Sequence, residues 1–241
     1  MKKILIIAIA MLLSCQLSAQ RNIAGIGQQM NNLEKISEIY DDWVDSIYTN
    51  VSQYIANCDA QIAANPTVGW KTECAIWHCY MAEFLIDRSF SYKYTINSRT
   101  PGADIDLSHI DEWDEETLQQ QIVLHYRKAL QEAYSLRQIP FNQCEEIVKN
   151  YGDDERSSFN TLYEFVLYKY AQILQNFSQK KDHDKDKNPN IAIFLTSNED
   201  FINLQFDIDT SSYQYEYLSV LQQLTKEQMK SATAYPLICT S

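Results

Sequence analysis

Apolar residues recur along this chain at steps of three and four over long stretches and seldom alternate at steps of two, so the pattern is helical. A short polar leader containing Gly25 and Gly27 comes first. Leu33, Ile36, Ile39 or Tyr40, Trp43, Ile47, Val51, Tyr54, Ile55, Cys58 and Ile62 then trace one stripe. That stripe predicts an amphipathic helix over 29–63, stopped by Asn65 and Pro66. Cys74, Trp77, Tyr80, Met81, Phe84, Leu85 and Arg88 mark a second helix ending near Tyr94. Residues 95–113 hold Pro101 and Gly102 among Asp and Ser, and read as a structured loop.

Asp114 fits an N-cap, and Glu115 and Glu116 behind it complement the positive end of a helix dipole. The helix it opens runs to about Leu136 through Leu118, Ile122, Tyr126, Ala129, Leu130 and Ala133, and Pro140 closes it. Asn142 is read as the cap of a short helix before Gly152, and Asn160 as the cap of a helix carrying Leu162, Phe165, Val166, Ile173, Leu174 and Phe177. The charged run over 179–190 reads as a solvated linker. Residues 191–209 alternate weakly and read as extended or irregular. Tyr215, Leu218, Leu221 and Leu224 mark a last helix, and the tail from about Ser231 has no pattern. The expected fold is all-α, an antiparallel array of helical hairpins forming a repeat-like bundle after a cleaved signal peptide. Its domains are a signal over 1–19, a main helical domain over 20–178, the linker over 179–190 and a C-terminal segment over 191–241.

The signal reading comes from the first twenty residues. Lys2 and Lys3 precede a ten-residue apolar run, Ile4 to Leu13, which has no polar face and is too short to span a bilayer as a mature helix. Two processing fates fit residues 12–20. Ala19 before Gln20 offers the small residue of an ordinary cleavage site, the fate we take first. Leu12-Leu13-Ser14-Cys15 resembles a bacterial lipobox, in which Cys15 is lipidated and tethers the chain to a membrane.

Composition narrows the function classes. The 241 residues carry a formal net charge of −12 and a sequence pI near 4.7, and removal of 1–19 takes away two Lys and no acid. Nucleic acid is therefore not an expected partner, because phosphate binding needs a basic face. Six Cys, at 15, 58, 74, 79, 144 and 239, show no C-x-x-C or zinc-ribbon spacing. Cys74 and Cys79 point about 140° apart on a regular helix and should not bridge each other. Most of these cysteines read as small buried hydrophobes.

Candidate chemistry is thin. Trp77-His78-Cys79 sets an imidazole beside a thiol, but neighbours on a helix diverge by about 100°, which excludes a Cys–His dyad. Ser108, His109 and Asp111 are triad-like in letters only and read as turn chemistry. Asp182, Asp184, Asp186 and Asn188 imitate the start of an EF-hand, yet Lys187 stands where Gly is needed and Ile193 where Glu is needed. The acidic cluster of Asp111, Glu112, Asp114, Glu115 and Glu116 reads as a helix start. There is no phosphate-cradling glycine loop, H-E-x-x-H or nucleophile elbow. The expectation is a non-enzyme with no catalytic residue, metal ligand or cofactor.

Several stretches taken together resemble a known family. They are SFSYKYTINSRT (89–100) running into DIDLSHIDEWD (104–114), TLYEF (161–165), and FLTSNEDFINLQFD (194–207) leading to YEYLSVLQQL (215–224). Their order and spacing look like the N-terminal helical region of Bacteroidota alpha-2-macroglobulin-like proteins, over most of 30–228. The resemblance implies an envelope protein whose full-length relatives trap or sense proteases through domains far downstream. The thioester of that family, where present, lies in a Cys-Gly-Glu-Gln-like turn. Cys58-Asp59-Ala60-Gln61 keeps only its outer spacing and sits in a predicted helix, so no catalytic position carries over. On this reading the chain is a truncated member of the family. The alternative is a stand-alone envelope helical-repeat protein that binds a peptide or nutrient. Either way the expected partner is a protein or peptide in the periplasm or at the outer membrane, with membrane attachment only through Cys15.

Overall fold

The computed structural model describes residues 23–33, 35, 43–91, 96, 105–107, 109–144, 147, 159–181, 197–206 and 211–234. Among these residues the fold is all-α, as the periodicity predicts, with no strand. The chain divides into two compact units, one ending at Leu162 and the other beginning at Tyr163. The division falls at the start of a helix that the sequence pattern places inside one main domain over 20–178. Among the described residues no helix is long and apolar enough to cross a membrane.

Among the described residues the first unit opens with α1, residues 23–33, whose first part falls where the sequence pattern predicts a polar leader. Ile23, Ile26, Met30 and Leu33 are buried at helical spacing, and their burial outweighs the roughly 1 kcal/mol that a helical glycine costs. The predicted helix over 29–63 is next described in α2, Trp43–Ala64, whose buried stripe is Val44, Ile47, Val51, Ile55 and Cys58. Ile36 and the side chain of Trp43 lie outside the described residues. A short turn at 65–67 leads into α3, Val68–Ser91, and Asn65 N–H closes the end of α2 on Gln61 O at 2.8 Å.

After a 3₁₀ turn at Ile110–Glu112 the chain enters α4, Glu115–Gln131. Asp114 is its N-cap, accepting a hydrogen bond from Thr117 N–H at 2.7 Å. The single helix predicted to Leu136 is broken at Glu132, whose N–H bonds back to Ala129 O, and it resumes as α5, Ala133–Arg137. Asn142 lies inside a second 3₁₀ turn, Phe141–Gln143, and the short helix predicted between it and Gly152 falls mostly outside the described residues. This turn is fastened to the end of the unit by a two-way backbone pairing: Phe141 N–H to Asn160 O, and Leu162 N–H to Ile139 O, each 3.0 Å. α3 packs against both α2 and α4.

The second unit holds α6, Leu162–Lys181, α7, Asn198–Asn203, and α8, Tyr213–Ala234. α6 continues into residues read as linker, and the remainder of that linker lies outside the described residues. α7 replaces part of the predicted irregular stretch. Its signal is the N-cap Ser197: Asp200 N–H donates to Ser197 Oγ at 3.2 Å, and that hydroxyl donates to Asp200 Oδ2 at 2.8 Å. Tyr170 donates to Glu216 and Phe177 meets Tyr213 at 5.5 Å, which joins α6 to α8. α8 runs past Ser231, where the sequence reads as a patternless tail.

Of the predicted core, Leu33, Ile47, Trp77, Leu118, Ile122, Leu162, Phe165 and Leu174 are buried, whereas Tyr80, Phe84 and Leu130 are only half-buried at the edges of their stripes. Two substitutions separate helix propensity from capping. A Cβ added at Gly25 meets nothing within 4 Å, so Gly25→Ala should stabilise the protein by about 0.5–1 kcal/mol. Asp114→Ala should cost about 1 kcal/mol, with Asp114→Asn close to wild type. Urea titrations of wild type and these variants check both signs.

Candidate functional site

The polar groups that a chemical function could use gather around the middle of α3. Five consecutive residues, Cys74, Ala75, Ile76, Trp77 and His78, are buried there, more than a single apolar stripe accounts for. Trp77 stacks on Tyr54 of α2 at 4.6 Å and meets Tyr80 edge-on at 5.8 Å. His78 and Cys74 therefore face protein instead of water and need partners within it.

His78 finds one on α4. Its Nδ1 lies 2.8 Å from Nδ1 of His125, with the rings tilted by 46°. One imidazole donates its Nδ1–H and the other accepts at an unprotonated Nδ1, so when both rings are neutral they take opposite tautomers. Burial pushes His78 down to about 4, Asp59 opposing the shift and Lys128 adding to it. Burial, with His78 and Lys128 beside it, pushes His125 down to about 3. Tyr126, next to His125 on α4, donates to Glu83 of α3 and makes a second polar tie between the two helices.

Cys74 turns toward α2, where its thiol donates to Asp59 Oδ1 at 3.5 Å. Burial, then the Asp59 carboxylate, pushes this thiol up to about 12. Burial, with Glu73 and Asp59, does the same for Cys58, and burial alone for Cys144. Cys79 is half-buried and its thiol is also pushed up, by burial and by Glu83. Thiols held this way are protonated at neutral pH and are poor nucleophiles. The four described cysteines are free.

The other sequence candidates stay apart from this cluster or outside the described residues. His109 is exposed, with Nε2 4.0 Å from Asp106, while Ser108 and the side chain of Asp111 are not described. Gln61, three positions after the buried Cys58, is exposed on α2, so no thioester turn forms. The Asp182–Asn188 run, Cys15, Cys239 and the Ala19–Gln20 junction are outside the described residues. Among the described residues, no three His, Cys, Asp or Glu side chains come together in a metal-holding group.

His125 is the participant that the sequence reading missed. Its signal was its position, three residues after Ile122 and four before Ala129, on the buried side of α4. No protein-family model, curated protein or solved structure matches the chain.

The pair makes stability depend on pH in a definite direction. Its rings take up protons near pH 6.5 when unfolded but only near 4 and 3 when folded, so below pH 6.5 the unfolded chain binds more protons. Acid therefore favours unfolding. From pH 7 to 5, above the titration of ordinary carboxylates, the protein should lose up to about 4 kcal/mol if both shifts act in full. His125→Asn, which keeps a polar partner for His78 but removes one titrating ring, should show a shallower fall. Thermal melts across this range check the slope, and a flat profile in wild type contradicts the assignment.

Proposed function

We propose that this chain is a non-enzymatic exported helical module of a bacterial envelope, similar to the N-terminal region of alpha-2-macroglobulin-like proteins and serving as a scaffold for a protein or peptide partner. The observation that carries the reading is where the reactive and aromatic side chains go. His78, Cys74 and Tyr126 each bond to a residue on a neighbouring helix, and Asp114 is a helix cap. Trp77, Trp113, Tyr126 and Tyr170 are fully buried. Aromatic rings spent on packing favour a scaffold over a peptide- or nutrient-binding surface lined with exposed rings.

Export is supported by the order of Lys2 and Lys3, the apolar run and Ala19. The family resemblance is supported by the quoted stretches, and protease defence enters only through it. The acidic net charge supports a partner other than nucleic acid.

Fractionation of cells producing the full chain tests this. The protein should be recovered from the envelope with residues 1–19 removed, and the purified material should hydrolyse neither peptide nor ester substrates. Palmitate incorporation that disappears in Cys15→Ala would identify the lipidated form. Recovery in the cytoplasm with an intact N-terminus, or catalysed hydrolysis, would contradict the proposal.

A further inference from the structure

The α2–α3 hairpin brings two cysteines far apart in sequence to the same level. Cys58 lies six residues before the end of α2, and Cys74 six residues after the start of α3. The helices are joined by only three residues, 65–67, so both positions stand about 9 Å from the turn at 1.5 Å per residue. Side-chain contacts fix the same register. Cys74 reaches Asp59, the neighbour of Cys58, and about one turn farther along the hairpin Trp77 stacks on Tyr54. Tyr54 and Cys58 are four apart on α2, and Cys74 and Trp77 are three apart on α3, so each pair lies along a single helix face. Both thiols are buried, at 1% and 5% exposure, and Cys58 is close enough to Cys74 to act on it electrostatically.

We propose that Cys58 and Cys74 form an oxidisable dithiol whose disulfide clamps the α2–α3 hairpin. The structure holds its reduced form. In the oxidised form Cys74 would exchange its hydrogen bond to Asp59 for a covalent bond across the hairpin. The oxidant is a small-molecule or protein disulfide, acting while the chain folds and the thiols are still accessible and easily ionised. One protein thiolate attacks that disulfide, forming a mixed disulfide and releasing one thiol. The second protein thiolate then displaces the other half, so the two cysteines lose two electrons and the oxidant becomes two thiols. Once folded, burial slows exchange in either direction. Cys79 points away from Cys74 by about 140° around α3 and is not the partner. The geometry is independent of the export reading, which bears only on where a cell would supply the oxidant.

The test is to refold the purified protein with glutathione disulfide, alkylate the remaining thiols and map the peptides. The expected product has lost the two thiol hydrogens and gives a linked peptide joining Cys58 to Cys74. It should melt about 5–10 °C above the reduced protein, because the link restricts the unfolded chain. Cys58→Ala and Cys74→Ala should abolish the link and the oxidation-dependent shift, while Cys79→Ser and Cys144→Ser retain both. Comparing oxidised with reduced wild type keeps the test valid if an alanine variant folds poorly. Links from Cys58 to Cys79 or Cys144, glutathione adducts without an internal link, or a Cys58–Cys74 link that leaves the melting temperature unchanged would overturn the proposal.

Discussion

The middle of α3 is enclosed by protein, with α2 and α4 packed against it, and this enclosure determines what its neighbours must provide. Trp77 is fully buried and is held flat against Tyr54. The same burial takes His78 and Cys74 out of water, and a buried polar group without a partner costs about 1–3 kcal/mol. His125 from α4 and Asp59 from α2 meet that demand. Their contacts do more than add stability: a helix rotated or shifted by one turn would leave an imidazole or a thiol unpaired, so they also select the register of the packing. Lys71 and Glu132, 3.3 Å apart, make a further link near the start of α3, but both are solvent-accessible and the ion pair adds little.

The second unit uses polar side chains in a comparable way within itself. Tyr163 and Tyr170 on α6 reach Gln223 and Glu216 on α8. Gln222 donates to the carbonyls of Phe201 and Leu204 at 2.8 and 2.9 Å, so one amide of α8 satisfies acceptors at the end of α7. Leu218, Val220 and Leu224 supply the buried apolar side of α8. Hydrophobic burial holds these helices together, and the long polar side chains fix how they meet.

The helices of the first unit were legible where apolar spacing was long and unbroken, as in α2, α3 and α4, and Asp114 announced its own helix because an N-cap is a local feature. α1 was obscured by Gly25 and Gly27, whose propensity cost is local while the burial of Ile23 and Ile26 that offsets it is tertiary. α7 carried a readable Ser-x-x-Asp signal inside a stretch whose weak alternation pointed elsewhere. The polar cluster was only half visible. His78 stood out beside Cys79, but its actual partner is 47 residues away on another helix, and spacing along one helix cannot report a pairing between two. The same limit hid the match of Cys58 with Cys74, which depends on how tightly the hairpin turns at 65–67.

Native-state hydrogen exchange read residue by residue tests most directly whether α3 is the element that the first unit depends on. If it is, the amides from Cys74 to Leu85 exchange only through global unfolding, with the free energy measured by urea denaturation, and the ends of α2 and α4 exchange sooner. Exchange in the middle of α3 at the rate of the helix ends, well below the global unfolding free energy, would contradict the account.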